Sequence, residues 1–324
     1  MTIEKIVDRI EAALKESLST YQLPENLYDP VHYVVDAGGK RIRPVLSVLA
    51  YQTCGGTDWN ILPAAVAVEL LHTFTLVHDD IMDRSPTRRG RPTVHMRWDE
   101  SAAILSGDVM IGIALRLLTN TAQSAPQPSA LYEAFATGLV DVCEGQALDL
   151  AFQQRRDVTT EEYFDMITKK TAKLLEMAVT LGARAAGAND VMVHDIRTFA
   201  RGLGIAFQLQ DDILDVVGSP DFGKTPGGDI VEGKRTWLIL TADKRATERH
   251  HRALLEAFWS GNGLDRSQIG DVIEMFNDLN VISDARSLVE TYTRDAFEHL
   301  ERLPESLSRK VLSDLGHTLM GRAT

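Results

Sequence analysis

One short acidic pattern occurs twice in the chain: Asp79-Asp80-Ile81-Met82-Asp83 and, 132 positions later, Asp211-Asp212-Ile213-Leu214-Asp215. Each copy closes an apolar run, Ala64 to Val77 before the first and Leu203 to Leu209 before the second. At about 3.6 residues per turn, the first and last Asp of each copy lie one above the other on a single helix face. The placement is near a helix C-terminus, where the macrodipole is already negative. Two like charges about 4 Å apart cost roughly 4 kcal/mol at an effective dielectric near 20. Such clusters require cations. Oxygen-only donors without His or Cys beside them suit hard ions, Mg2+ before any transition metal. A single copy reads equally well as a solvated helix end. Two copies with the same lead-in argue for a shared task, and their separation excludes a local tandem repeat, so the two helices are expected to face one another.

Positive charge is concentrated in four stretches. Gly38-Gly39-Lys40-Arg41-Ile42-Arg43-Pro44 combines glycines that let a ligand approach the backbone with three cations that suit a phosphate. Its plainer reading is a helix C-cap with dipole-matched basic residues. Arg84-Ser85-Pro86-Thr87-Arg88-Arg89-Gly90 follows the first acidic motif and could equally be a surface loop. Lys169-Lys170-Thr171 sits inside a helical pattern, where a solvated face is the ordinary reading. The fourth stretch runs from Gly223-Lys224 through Gly227-Gly228-Asp229 to Lys234-Arg235, and its glycines and lysines suit a lid over an anion. Ion pairing alone explains the charges, but neither the repeat nor the glycine-rich settings.

The elements that must hold these residues are helices. Apolar periodicity is helical throughout, with no sustained alternation, so the fold is expected to be all-α. Helices are predicted over about 2–19, 28–37, from Pro44 to near Gly55, and from near Pro63 through the first motif. A charged loop covers Arg84 to Arg97. Further helices are predicted over about 100–119, 129–154 and 159–186, the last opened by the capping box Thr159-x-x-Glu162. The second motif ends a helix over about 191–217. A loop, Gly218 to Gly233, follows it, and then four or so helices. No linker marks a boundary, which predicts a single domain over 1–324.

With 324 residues, 44% hydrophobic and 25% charged, the chain has ample core for an ordinary globular protein. A net charge of −12 argues against nucleic acid and anionic lipid as partners. Cys54 and Cys143 form no framework, which fits a reducing compartment. Glu4, Asp8 and Glu11 interrupt any signal-like run, and Glu69 and His72 interrupt the long apolar stretch Ile61 to His78. A cytoplasmic location without an integral membrane segment is the expectation.

Taken together, GGKRIRP from Gly38, LVHDDIMDRSPTRRGRPT over Leu76–Thr93, FQLQDDILD over Phe207–Asp215 and the GK…GGD…GK stretch resemble the trans-isoprenyl diphosphate synthases of the polyprenyl synthetase family. The likeness covers nearly the whole chain. It implies an all-α bundle of about 12 helices around a deep central cavity, a homodimer, and head-to-tail condensation of isopentenyl diphosphate with an allylic diphosphate. It also implies Mg2+, three ions per active site. By that resemblance Asp79, Asp83 and Asp211 ligate metal, with Asp80, Asp212 and Asp215 in support. Arg88, Lys170, Lys224 and Lys234 bind the allylic diphosphate, and Lys40, Arg43, His72 and Arg89 bind isopentenyl diphosphate. Thr171 and Gln208 face the reacting carbon, and the departing diphosphate serves as the proton acceptor.

The resemblance also implies that side chains upstream of Asp79 set product length. Thr75, Phe74 and Leu71 lie four, five and eight positions back. One aromatic with a small neighbour resembles the geranylgeranyl (C20) pattern, and Phe74 as a generic core residue is the alternative. Farnesyl (C15) or longer products are the nearest other outcomes. A class I terpene cyclase would usually replace the second acidic motif and has no need of GGKRIRP. A non-catalytic regulatory subunit would be expected to have degraded acidic motifs, which are intact here.

Overall fold

A computed structural model describes residues 2–218 and 227–321. The fold is all-α, and its one sheet among the described residues is a two-residue antiparallel ladder pairing Thr87 with Pro92 and Arg88 with Arg91. The chain divides into two compact units, 1–139 with 174–197 and 301–312, and 140–173 with 198–300 and 313–324.

In the first unit, α1 (Ile3–Leu18) buries Ile6, Ile10, Leu14 and Leu18, one residue per turn. Next come α2 (Glu25–Val35) and α3 (Ile42–Thr53). Pro44 is the third residue of α3 rather than its start, tolerated because first-turn N–H groups have no helical partner. Next, α4 (Leu62–Met82) is buried without interruption from Ala64 to Leu71, so it is apolar all round instead of amphipathic. The loop after it contains the small ladder and a single turn, α5 (Val94–Arg97).

Helix α6 (Glu100–Ala122) packs along α4 and opens on Asp99, whose side chain accepts from the N–H of Ala102. By length and hydropathy it is the one helix among the described residues that could cross a membrane. Ile104, Leu105 and Leu115 on it are exposed.

Two long helices, α7 (Pro128–Phe152) and α10 (Asp190–Val217), contribute to both units. Between them the single helix expected over 159–186 is three segments. These are α8 (Thr160–Ile167), a π-helical turn (Thr168–Ala172) and α9 (Lys173–Ala185). The Thr159 capping box forms in both directions, with Glu162 N–H donating to Thr159 Oγ1 and Thr159 N–H to Glu162 Oε2.

The second unit completes itself with α11 (Gly228–Val231), α12 (Trp237–Arg245), α13 (Arg249–Gly261), α14 (Ile269–Asp278), α15 (Val281–Glu301) and the end of α16 (Leu307–Met320). Its core gathers Tyr163, Phe258, Phe276, Leu238 and Val272.

Candidate active site

In the second unit the second acidic motif lies on α10 and lines a cavity of about 120 Å3. Asp211, Asp212, Asp215 and Gln208 come from α10, Asp149 from α7, and Tyr163 from α8. Lys170 and Thr171 come from the π turn, and Asp229, Lys234 and Arg235 from α11 and the chain after it. The π turn sets which basic residues enter. Lys169 turns away to Glu144 (3.1 Å) and Asp165 (3.2 Å), whereas Lys170 and Thr171 face the cavity. Gly145 on α7 makes room for that turn. A Cβ there would lie 2.3 Å from the Lys170 backbone nitrogen, closer than any side chain allows.

Five carboxylates face three cations around this cavity, so it favours added positive charge. Lys170 is ion-paired with Asp149. Lys234 donates to Asp229 at 2.8 Å and pairs with Glu232 at 3.2 Å. Burial would lower the Lys234 ammonium, but those two carboxylates outweigh it and hold its pKa well up. Asp215 Oδ2 accepts from the Asp229 N–H at 2.9 Å, which ties α11 to the acidic motif. Asp212 is buried. Desolvation and then the charge of Asp229 push its carboxyl up to about 7, against hydrogen bonds from Tyr163 and Gln208. Thr171 Oγ1 donates to Gln208 Oε1 at 2.9 Å.

Arg235, next to Lys234, has a different task. It donates to the carbonyls of Gly233, Arg155 and Gln153 and to Asn262 Oδ1, and its guanidinium lies 4.7 Å from the Trp259 ring centre. It fixes the chain that presents Lys234. Gly223 and Lys224 lie outside the described residues.

The first unit builds its own basic site beside the first motif. Arg41, expected among the phosphate-facing cations, is instead buried. It donates to Glu11 (2.7 Å), Glu69 (2.6 Å) and the Val35 carbonyl (3.0 Å). Its left-handed backbone, φ 48°, turns the loop into α3. Lys40 is exposed. Arg43 donates from Nη1 to His72 Nε2 at 3.1 Å, and its buried Nε has no partner among the described residues. Arg89 lies against Gly39, where a Cβ would stand 3.0 Å from its Nη1.

Burial, and then the guanidinium groups of Arg43, Arg89, Arg88 and Arg41, hold His72 well below the usual imidazole range. Burial also lowers Arg43 and Arg89, with Glu69 opposing in each case. Arg88 Nε donates to the buried Asp80 at 2.8 Å. Asp79 is half-buried, and Asp83, the C-cap of α4, is exposed.

A family model for polyprenyl synthetases matches residues 24–276. A short chain isoprenyl diphosphate synthase of Methanothermobacter thermautotrophicus is 37% identical over 321 residues, 99% of this chain and 97% of that protein. The chain belongs to the polyprenyl synthetase family. It is therefore a trans-prenyltransferase. Solved structures agree. A geranylgeranyl pyrophosphate synthase superposes with a TM-score of 0.91 at 36% identity, covering 100% of both chains. Another, from Corynebacterium glutamicum and complexed with isoprenyl diphosphate and magnesium, gives 0.87 at 28% identity, covering 99% of this chain and 100% of that one.

Within this prenyltransferase the residues expected to set product length all lie on α4. Leu71 is fully buried, Thr75 Oγ1 donates to the His72 carbonyl, and the half-buried Phe74 stacks edge-on against His78 at 4.6 Å. Sequence reasoning missed Asp149, Tyr163 and Glu69. Each is an ordinary helix residue until the fold sets it against Lys170, Asp212 or Arg41. The buried charge of Glu69 in an otherwise apolar run was the one visible signal.

Proposed function

We propose that this prenyltransferase joins isopentenyl diphosphate head-to-tail to allylic diphosphates and releases mainly geranylgeranyl diphosphate. The observation that carries the reading is the acid-rich cavity of the second unit, where a lysine pair and an oriented Thr171–Gln208 pair share the walls with Asp211 and Asp215. Among the described residues no group of three Asp, Glu, His or Cys side chains converges tightly enough to hold an ion alone. Mg2+ tolerates that arrangement, because it keeps waters and takes one or two carboxylates together with substrate phosphate oxygens. In the first unit Asp79 on α4 and Asp83 at its C-cap, and in the second unit Asp211 and Asp215 on α10, are the residues that would hold Mg2+. When bound, Mg2+ supplies the charge neutralisation that makes diphosphate a good leaving group.

The chain's own side chains do the rest. Lys170 and Lys234, paired with Asp149 and Asp229, bind the allylic diphosphate in this reading, a role given also to Arg88 and Lys224. Arg43, with an unused Nε, and Arg89 and Lys40 take isopentenyl diphosphate, while His72 stays neutral and orients Arg43. Oxygen dipoles of Thr171 and Gln208 stabilise the positive carbon left when the C–O bond breaks. The double bond of isopentenyl diphosphate attacks it, and the departing diphosphate accepts the proton.

Phe74, one turn above the first motif, closes the product channel near C20. Other relatives of similar identity are named for longer products, so overall identity does not fix the length. We further propose a cytoplasmic homodimer. The test is product analysis by mass spectrometry with isopentenyl diphosphate and C5, C10 or C15 primers, with and without Mg2+. A metal-dependent product ending at C20 is expected. Chains of C30 or more would discard Phe74 as the floor, and no elongation would overturn the reaction.

A further inference from the structure

Tyr163 is buried in the wall of the cavity, and its hydroxyl is held by a second residue of that wall. Its hydroxyl donates to Asp212 Oδ2 at 2.7 Å. The other oxygen of that carboxylate, Oδ1, accepts from Gln208 Nε2 at 2.9 Å, and Gln208 Oε1 in turn accepts from Thr171 Oγ1 at 2.9 Å. The chain leaves α8, crosses α10 and returns to the π turn. It has a direction. An ionised Asp212 offers only acceptors, and in that state the NH2 end of the Gln208 amide faces Asp212 and its oxygen faces Thr171, as the two contacts place them. The single hydroxyl proton of Thr171 is then consumed, and its oxygen lone pairs are left for the cavity. An amide flipped end for end would donate to Thr171 and turn that proton inward, the wrong polarity for a developing cation.

We propose that Tyr163 is a positioning residue that, by fixing Asp212, sets the polarity of the Gln208–Thr171 pair toward the reacting carbon. This rests on the reading of Thr171 and Gln208 given above. Without the Tyr163 hydroxyl the carboxylate can turn, and Gln208 loses the contact that distinguishes its nitrogen from its oxygen. The Tyr163 hydroxyl is spent on Asp212, so its effect is expected in the chemical step.

The test is Tyr163→Phe, which keeps the ring in the core. It should lower kcat about tenfold to a hundredfold, leave KM for both diphosphates within about twofold, and change Tm little. The double variant with Gln208→Ala should be no slower than Gln208→Ala alone, because the two act through one path. A full-rate Tyr163→Phe, or rate losses that multiply in the double variant, would overturn the proposal.

A second readout does not need turnover. An allylic amine with a cationic nitrogen at the reacting position, bound with inorganic diphosphate, should lose roughly tenfold in affinity in Tyr163→Phe by calorimetry. Its uncharged carbon isostere should bind both proteins alike. Equal losses for the two analogues would assign Tyr163 to packing only. A wild type that discriminates the amine yet condenses nothing would fail the prenyltransfer reading and leave the role of Tyr163 in place.

Discussion

His72 is kept neutral by burial and by the guanidinium groups gathered around it in the first unit. Its ring nitrogen accepts from Arg43, so the imidazole proton sits on Nδ1 and the guanidinium carries the charge. A folded-state pKa below the unfolded value of about 6.5 means that the unfolded chain binds more protons in acid. This group's contribution to stability is therefore lost as pH falls below about 6.5. Nitrogen-detected NMR at about pH 6 should show a neutral His72 ring protonated on Nδ1, and a charged ring there would contradict the account. Phe74 supports a second expectation at the same scale. Replacing it with Ala removes the one aromatic just above the acidic motif, so products of C25 and longer should rise from a minor to a major share. An unchanged distribution by mass spectrometry would remove Phe74 as the floor.

Two helix-level devices hold the charged groups still. In the first, Glu69 answers Arg41 inside the protein, with Glu11 at the rim. Glu69→Ala leaves the buried guanidinium only the rim carboxylate of Glu11 and the Val35 carbonyl, and should cost about 3 kcal/mol in denaturant unfolding. Arg41→Lys with Glu69 intact should also lose stability, since a lysine cannot make the forked contact to two acids and a carbonyl. In the second, Gly145 admits the π turn. Gly145→Ala should displace Lys170 and Thr171, and a shift of about 1 Å is enough to lower kcat about a hundredfold while the protein stays folded. Wild-type kcat in that variant would show that the turn is not position-critical.

These devices also mark how far the sequence could be read. The acidic repeats, the Thr159 capping box and the ends of α1, α4 and α10 were legible, because local spacing determines them. The π turn was not, since one extra residue per turn leaves no mark on apolar periodicity over 159–186. Nor was the division of labour between Arg41 and Arg43, or between Lys234 and Arg235. Neighbouring cations look alike until partners from distant helices, Glu69 for one and Asn262 for the other, separate them.

At the scale of the molecule the unexplained surface is α6. Ile104, Leu105 and Leu115 stand exposed, and only 39% of its most apolar window is buried. Burying a large aliphatic side chain is worth about 1.5–3 kcal/mol, so three on one helix leave a considerable driving force unused. The two ordinary covers are lipid and protein. A second copy would match the same helix with itself about a two-fold axis, and neutral lipid is the other cover. A stable interface of this kind needs roughly 1,000 Å2. Sedimentation should therefore give a dimer at micromolar concentration, and Ile104→Asp should shift it toward monomer. Placing an unpaired carboxylate in a buried interface costs several kcal/mol, which corresponds to a Kd at least a hundredfold weaker. A wild type that sediments as a monomer while floating with neutral vesicles would transfer this face to lipid. A dimer indifferent to Ile104→Asp would move the interface to another surface.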